Sequence, residues 1–323
     1  MTRLEAIEEF KQKCCVNKDE IKDDFMTGLE TGMDELIKRI SAAFGEIADQ
    51  AEAKGKAACA FFIFSLLRYD LMQNKARVRL DVMNGGWYID KEPLCTEFDL
   101  TFLFTPYFQW RETLLTAMRE YMGKVNRYDV EAIVQEEIME AVRPLIQILR
   151  IAFRNIEAND NFARIPKLAF WEIHFGEYRD YSEPIIQMNR EPRSEEMWIN
   201  KLEDYEENPA ILQFSWWYRA VLRKGDCREK NLCGIVFEGC SLQNIDFEKA
   251  KLMGARFLSC SLEQCNFKQA DLTQAEFERC TFTDCTFTDA GMQQAVFSLE
   301  GLKAEWFDEK QMQEMLIVEG VAS

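Results

Sequence analysis

Few residues of this chain have the types and spacing that catalysis or metal binding requires. Histidine, the usual general base and metal ligand near neutral pH, occurs once, as His174. His174 lies opposite Trp171 and Phe175 in an alternating run, so a strand here would place its imidazole on the solvent side. Cys-x-x-Cys pairs and glycine-rich phosphate loops do not occur, and the adjacent Cys14 and Cys15 suit a zinc site poorly. The sequence therefore predicts no catalytic residue, no metal site and no cofactor.

Two arginines are the candidate ligand contacts. Arg77 and Arg79 alternate with apolar residues beside Asp81, and an Asn-Gly-Gly turn at 84–86 follows, which is typical of a β-hairpin. Guanidinium groups in this arrangement could recognise an acidic ligand across the hairpin. A row of surface ion pairs is the alternative interpretation.

The residues that determine the architecture are apolar and recur every five positions. From Leu232 to Phe307 every fifth residue is Leu, Phe or Met, and from Ile235 to Ala295 the residue two places before each is Ile, Ala or Cys. A helix face repeats at about 3.6 residues and a strand face at about 2, so neither produces this pattern. An amphipathic helix is therefore excluded here.

The same segment also repeats at twenty residues. Phe237, Phe257, Phe277 and Phe297 share one column, and the leucine, alanine and cysteine columns keep the same phase. Agreement between a five-residue and a twenty-residue period predicts a repeat structure over residues 230–307, held together by stacking of neighbouring units.

This segment resembles the pentapeptide-repeat family. The blocks SLQNI DFEKA KLMGA RFLSC SLEQC NFKQA and those that follow carry the likeness, over roughly a quarter of the chain. The resemblance implies a right-handed, quadrilateral parallel β-helix with one five-residue block on each side. The twenty-residue repeat agrees with this fold, because a four-sided coil stacks each residue on the one twenty positions later, at a strand spacing of about 4.8 Å. Residues 230–307 would then form nearly four coils. The resemblance also implies one candidate function, because some members protect bacterial type II topoisomerases such as gyrase by imitating duplex DNA.

The first 225 residues lack the five-residue period and are predicted to form a mainly helical domain with a small β-sheet. The apolar run Ala57–Leu67 is interpreted as part of a buried helix. Longer helices are predicted at 109–124 and 129–157, with Pro144 kinking or interrupting the second. The fold class is therefore a two-domain α+β protein.

Both ends of the solenoid need covers, because an open β-helix end exposes unpaired backbone groups. A last helix of the first domain, rich in tryptophan at Trp216 and Trp217 and ending near Gly225, is expected to cover the first coil. At the other end Asp308 is expected to begin a helix whose Met315 and Leu316 seal the last coil. The predicted domains are 1–225, 226–307, and a capping helix and tail at 308–323.

Composition limits the partners. The chain has 56 acidic and 39 basic residues, a net charge of −17, so direct binding to nucleic acid or to an anionic membrane is not expected. The longest apolar run is too short to span a bilayer and the acidic start is no signal peptide, which favours a cytoplasmic location. Five of the eleven cysteines occupy inward repeat positions, where reduced thiols serve as small buried hydrophobes.

Three functions remain open. The leading hypothesis is a non-enzymatic interaction protein, in which the solenoid is a rigid docking surface and the helical domain a second binding module. DNA mimicry is the first alternative, although residues 230–307 hold eleven acidic against seven basic residues, a net charge of only −4. An enzyme or small-ligand binder in residues 1–225 is the second.

One face of the predicted solenoid is the candidate interface. Its outward positions hold Val236, Leu258, Val296 and Leu299, and Met253 adjoins them. A contiguous apolar strip of this kind would mark a binding surface. The strip is predicted to pack against the helical domain or against a second copy of the chain.

Overall fold

The chain divides into two compact units. The computed structural model describes residues 1–299 and 302–318, and the units are Met1–Ile186 and Gln187–Ser323. The division therefore falls well before the predicted boundary between residues 225 and 226.

Helices make up much of the first unit, as predicted. They run over Arg3–Cys14 (α1), Lys18–Thr31 (α2), Met33–Lys54 (α3), Arg68–Leu71 (α4), Thr101–Ala117 (α5), Arg127–Ala152 (α6) and Asp160–Ala163 (α7). The buried residues of α3 recur at three- and four-residue spacing, which places one apolar stripe against the core. The helix α6 continues through Pro144 instead of ending there.

A five-stranded sheet completes the first unit. Its strands are Cys59–Leu66 (β1), Arg77–Met83 (β2), Leu94–Asp99 (β3), Lys167–Glu177 (β4) and Ser182–Asn189 (β5), in the order β3-β2-β1-β4-β5. The central strand β1 is antiparallel to β2 and parallel to β4.

The prediction of a helix over Ala57–Leu67 is wrong, since this run contains the strand β1. All eight residues of β1 are buried, because both faces of the sheet are covered at this central strand. Phe62 and Phe64 pack against Phe44 on α3, whereas Phe61 packs against Trp87 on the opposite face. A strand buried on both faces reads as a continuous apolar run, which resembles a buried helix in sequence.

The predicted hairpin exists, but its return strand is displaced. The strand β2 pairs antiparallel with β3, from Arg77 opposite Asp99 to Val82 opposite Leu94. The segment Trp87–Ile89, which the sequence suggested as the start of the second strand, forms a single 3₁₀ turn. The connection is therefore a longer loop than the Asn-Gly-Gly turn predicts.

The second unit is a parallel β-solenoid of about five turns. Its strands pair at an offset of twenty residues, as Phe237 with Phe257 and Leu242 with Leu262. One wall is the sheet β6-β9-β12-β14-β16-β17, made of Trp216–Tyr218, Val236–Glu238, Arg256–Leu258, Glu276–Glu278, Val296–Ser298 and Leu316–Val318. A second wall holds Val221–Leu222 (β7), Ser241–Gln243 (β10), Ser261–Glu263 (β13) and Thr281–Thr283 (β15). A third carries Gly225–Asp226 (β8) and Ile245–Asp246 (β11).

The phenylalanine columns form the centre of the solenoid. Rings from Phe237 to Phe297 stack with centroids 4.5 to 5.2 Å apart, and those from Phe247 to Phe287 at 4.9 to 5.0 Å. The predicted twenty-residue register is confirmed. Every centre position from Leu232 to Phe297 is buried except Phe282, which is partly buried.

The prediction of a helix that ends near Gly225 is wrong, because this segment forms the first coil of the solenoid. Trp217 pairs with Phe237, and Leu212, Trp217, Leu222 and Cys227 continue the centre positions backward from Leu232. All four are fully buried. Tryptophan and cysteine replace the usual leucine or phenylalanine here, so the repeat is harder to see in sequence.

Each side of a coil ends in a left-handed residue. From Glu229 to Gln294 every fifth residue has a φ between 51° and 66°. Glycine takes this conformation at Gly254, but most of these positions hold residues with a Cβ atom, such as Lys249 and Gln269. The chain thus turns a corner at regular intervals.

Short helices cover both ends. At the start, Trp198 of the helix Glu195–Glu203 (α8) packs edge-on against Trp217, and Ser194 caps that helix as predicted. At the end, Asp308 begins the predicted helix Glu309–Glu314 (α9), where the Gln311 amide donates to the carbonyl oxygens of Phe287 and Ala290. Leu316, expected in this cap, instead lies exposed in β17.

Membrane-spanning helices are absent from the described residues: none of the helices at 1–299 or 302–318 has the length and apolar character needed to cross a bilayer.

Candidate functional site

The predicted apolar strip of the solenoid is interrupted by charge. Val236 and Val296 occupy one outward column, but Arg256 and Glu276 lie between them in the register. The Arg256 Nε atom is 2.6 Å from a Glu276 carboxylate oxygen, and the Arg256 side chain is largely buried. An ion pair therefore occupies the middle of the strip.

Exposure along the strip is uneven. Met253 and Leu299 are 47% and 54% exposed, whereas Leu258 and Val296 are half-buried. Val236 is only 6% exposed, so it is part of the buried structure and not of a free surface. The prediction of a contiguous apolar strip is wrong in this respect, because sequence alternation gives the direction of a side chain but not what covers it.

The polar outward positions form ladders between successive coils. The Asn266 amide donates to Asp246 at 2.9 Å, and the Gln243 amide donates to Glu263 at 3.0 Å. Arg228 binds Asp226 of its own coil at 2.7 Å and lies 3.7 Å from Asp246 of the next coil. Several carboxylates of the solenoid are thus paired with an amide or a cation.

The column of Cys240, Cys260 and Cys280 is buried and hydrogen-bonded. The Cys240, Cys260 and Cys280 thiols each donate to a carbonyl oxygen of the preceding coil, over 3.1 to 3.3 Å. All eleven cysteines of the chain are free thiols. The hydrogen bond with Cys260 and burial raise the pKa of the Cys240 thiol well above its ordinary value. The thiols of this column pack the core of the solenoid.

Arg77 and Arg79 lie on the sheet face that the Trp87 turn partly covers, and both are engaged in ion pairs. Arg77 binds Asp70 through two hydrogen bonds of 2.8 and 3.0 Å, and Arg79 binds Asp81 at 2.9 Å. The Asp70 hydrogen bond raises the pKa of Arg77. The structure therefore contains the row of surface ion pairs that was the alternative interpretation of the sequence.

His174 is not solvated. It is 7% exposed, its Nε2 atom lies 2.8 Å from Glu172, and its ring packs edge-on against Trp87 at 5.6 Å. The expected surface imidazole is therefore wrong. The face opposite Trp171 is covered, because the loop that carries Trp87 folds onto it.

Arg179 was missed by the sequence reasoning. It lies at the tip of the β4–β5 hairpin, in the segment Tyr178–Tyr181, and its guanidinium carbon is 5.2 Å from the Tyr178 ring centre. Within the described part of the chain Arg179 makes no ion pair, although its neighbour Arg68 binds Glu177 at 2.5 Å. The available signal in the sequence was the segment Tyr-Arg-Asp-Tyr at 178–181, which lies between two alternating runs.

Arg179 borders a cleft of about 410 Å³, which we call the tyrosine–arginine cleft. It opens between the end of β1 and the hairpin tip, and its walls include Arg68, Tyr69, Arg77, Glu177 and Tyr178. The described residues, 1–299 and 302–318, contain no group of three His, Cys, Asp or Glu side chains placed to hold a metal ion.

A comparison with protein-family models agrees with the geometry of the second unit. The family model described as "Pentapeptide repeat region" matches residues 210–281. These residues are a pentapeptide-repeat region. The match begins before Trp217, in agreement with the extra first coil.

Two solved pentapeptide-repeat structures are similar to this chain. QnrB1, a plasmid-mediated fluoroquinolone resistance protein, is 21% identical over 27% of this chain and 46% of its own, with a TM-score of 0.26. HetL, involved in heterocyst differentiation regulation in the cyanobacterium Nostoc sp. strain PCC 7120, is 23% identical over 28% of this chain and 41% of its own, with a TM-score of 0.27. The chain thus spans less than half the length of either protein. A comparison with curated proteins gave no match.

Proposed function

We propose that this chain is a non-enzymatic protein-protein interaction protein whose pentapeptide-repeat solenoid is a rigid docking surface. The observation that carries the proposal is the filled interior of the solenoid. Its inward positions pack into one continuous apolar core, so its chemistry is confined to the exterior. A surface held by stacked coils loses little conformational entropy on binding.

The exterior offers separate anchoring points. Met253 and Leu299 are exposed apolar side chains, and Val221 and the strand β17 with Leu316, Ile317 and Val318 add further ones. Pentapeptide-repeat proteins are generally non-enzymatic, which is consistent with this role. The aromatic residues that could have lined a substrate pocket in the first unit, such as Phe104, Tyr107 and Trp110, are buried in its core.

Site-specific crosslinking tests the proposal. A photo-crosslinking amino acid at position 253 should capture a defined protein in cells, and the same group at Thr283, exposed on another wall, should not. With that partner purified, Met253→Glu should weaken binding at least tenfold while Thr283→Glu leaves it unchanged. Loss of binding in neither variant would contradict docking through this surface.

The DNA-mimicry alternative receives little support from the charge distribution. Such mimicry needs a continuous stripe of carboxylates, whereas here Arg256 lies next to Glu276 and Lys249 lies 3.7 Å from Glu229. We therefore expect gyrase supercoiling to be unchanged by the purified protein. Inhibition of supercoiling at stoichiometric protein would favour the alternative.

A further inference from the structure

The Trp87 loop, residues 84–93 between β2 and β3, begins with an asparagine followed by two glycines, Asn84-Gly85-Gly86. The sequence contains no other Asn-Gly pair. The side-chain carbonyl of an asparagine can be attacked by the backbone nitrogen of the next residue, and glycine hinders this attack least because it has no Cβ atom. Asn84 is thus the asparagine of this chain whose sequence context best suits self-modification.

The local structure favours that attack. The Gly86 N–H donates a 2.8 Å hydrogen bond to Oδ1 of Asn84, which holds the side-chain carbonyl against the backbone of the next two residues. The same hydrogen bond would stabilise the negative charge that develops on Oδ1 during the attack, as backbone donors do in an oxyanion hole. Gly85 is exposed, and in the part of the chain that the structure describes its N–H donates no backbone hydrogen bond. The nucleophile is therefore free, and its target is oriented and polarised.

The base of the Trp87 loop depends on Asn84 and on a buried carboxylate. The Asp90 side chain, which is 4% exposed, accepts the Asn84 backbone N–H at 2.8 Å and binds Lys56 at 2.5 Å. The Trp87 N–H donates to the Asn84 carbonyl oxygen at 3.1 Å and closes the turn. Trp87 has a φ of 54°, so these contacts and the packing of its ring on Phe61 hold it in a left-handed conformation. A change at Asn84 therefore acts on the whole loop.

We propose that Asn84 deamidates spontaneously in the folded protein and that its products release the Trp87 loop from the sheet. The Gly85 nitrogen gives its proton to the solvent and forms a bond to Cγ of Asn84, and the Cγ–Nδ2 bond breaks as ammonia leaves with a proton from the solvent. Water then opens the cyclic imide: cleavage of the new N–Cγ bond gives aspartate, and cleavage of the original peptide bond gives isoaspartate. One water is consumed and one ammonia is released, with no change of oxidation state.

Either product weakens the base of the loop. Aspartate adds a negative charge to the residue whose backbone N–H already binds the Asp90 carboxylate, and like charges repel strongly where solvent is largely excluded. Isoaspartate adds a methylene group to the backbone, which changes the spacing of the two hydrogen bonds that hold the turn. The loop then no longer covers Phe61 and His174. This modification lies in the first unit and is independent of the docking role proposed for the solenoid.

Incubation of the full-length protein in mildly alkaline buffer tests the chemical step. The tryptic peptide 80–91 contains Asn84, and mass spectrometry of this peptide measures the conversion of the amide to an acid. Labelling by an isoaspartyl methyltransferase identifies the isoaspartate product. We expect conversion at Asn84 within tenfold of its rate in a synthetic peptide of the same sequence. The exposed Asn244, which precedes an isoleucine, should convert at least tenfold more slowly than Asn84.

Two variants assign the reaction to the backbone nitrogen. Gly85→Ala should slow the conversion at least tenfold, and Asn84→Gln should abolish it at this position. A Cβ atom on Gly85 would meet only side-chain carbons of Leu168 and Phe170, at 3.3 and 3.4 Å, so Gly85→Ala should still fold.

Hydrogen exchange tests the release of the loop. Asn84→Asp supplies the charge of one product without incubation, and it should speed exchange of the hydrogen-bonded Trp87, Ile89 and Asp90 amides at least tenfold. Protein that has converted on incubation, separated by ion exchange, should show the same increase. Asn244→Asp makes the same charge change at an exposed corner of the solenoid and is the matched control, which should leave these amides unchanged.

Three results would overturn the proposal. The first is an unmodified Asn84 in the folded protein after a time that converts the free peptide completely. The second is equal conversion in Gly85→Ala, which would indicate direct hydrolysis of the side chain by water. The third is a converted loop whose amides exchange as slowly as before.

Discussion

Left-handed backbone at residues with a Cβ atom is a recurring source of strain in the solenoid. Gln269 is exposed, has a φ of 56°, and its amide hydrogen binds the Thr288 carbonyl oxygen of the next coil. The conformation is set by the corner of the coil and not by the side chain. Residue type should therefore matter here mainly through its tolerance of this conformation.

Gln269 variants should rank by that tolerance. Gln269→Gly should be neutral or stabilising by up to about 1 kcal/mol, because glycine has no Cβ penalty but a more flexible unfolded chain. Gln269→Val should destabilise by about 1–2 kcal/mol, since a β-branched side chain is poorly accommodated there. Thr283→Val, at an exposed position in the extended strand β15, is the control and should be close to neutral. Chemical denaturation followed by circular dichroism would check the order, and equal effects of the two valines would contradict it.

Phe267 tests the phenylalanine columns. Its ring stacks between Phe247 at 4.9 Å and Phe287 at 5.0 Å, so the space left by truncation cannot close easily. Phe267→Ala should lower the free energy of unfolding by about 3–5 kcal/mol. Thr283→Ala, on the outside of a neighbouring wall, should change it by less than about 0.5 kcal/mol. Similar unfolding midpoints for the two variants would refute the assignment of inward and outward positions.

At the scale of elements, the packing of the capping helix α8 depends on Gly225, whose backbone lies close to the Trp198 side chain. A Cβ atom on Gly225 would lie 2.6 Å from Nε1 of Trp198, whose indole is fully buried against Trp217. Gly225→Ala should therefore destabilise the first coil by about 1–3 kcal/mol through overpacking. Gly291→Ala, where the nearest side-chain atom is 4.0 Å away, should be tolerated. Hydrogen exchange would show whether amides of the first coil lose protection in Gly225→Ala alone, and uniform loss in both variants would contradict the cap.

Elements differed in how well the sequence predicted them, for physical reasons. The columns from Leu232 onward were predictable because Leu, Phe or Met occupies every fifth position and phenylalanine recurs throughout two of the four columns, so five- and twenty-residue periods agree. The first coil was not predictable, because Trp217 and Cys227 occupy centre positions that leucine or phenylalanine holds in the later coils. The strand β1 was missed since burial on both faces removes the alternation that identifies strands.

The candidate sites were less predictable than the elements. The burial of His174 depends on the Trp87 loop, and the isolation of Arg179 depends on how Asp70, Arg77 and Glu177 pair around it. Both are properties of tertiary contacts between distant segments. Local pattern gave the directions of these side chains but not their partners.

At the scale of the whole molecule, the buried thiols make the free energy of unfolding depend on pH in the alkaline range. Burial raises the pKa of Cys59 to about 11 from a reference of 9.0, and it also raises the pKa of Cys227. Between pH 9 and 11 the unfolded chain loses these protons while the folded chain keeps them, so the free energy of unfolding should fall as the pH rises. Below pH 9 this contribution to stability is fully present.

Cys59→Ala should make that fall less steep between pH 9 and 11, whatever its effect on stability at pH 7. Cys95→Ala is the control, because Cys95 is exposed. Denaturation midpoints measured across this range would decide the matter, and parallel curves for wild type and Cys59→Ala would contradict the assignment. A thiol reagent at pH 8 should likewise label Cys95 quickly and leave Cys59 unreacted until the protein unfolds.

The pairing of each strand with residues twenty positions away restricts how the solenoid can change in length. Removal of residues 252–271 would bring Phe277 directly onto Phe237 with every column still continuous, since Phe257 pairs with both. Removal of five residues would instead move each later side chain to the next wall, and the phenylalanine columns would meet leucine columns. Both capping helices would survive the first change unaltered. Insertions and deletions in the lineage of this protein should therefore come in whole coils, so that the rod grows or shrinks in steps of one strand spacing, about 4.8 Å.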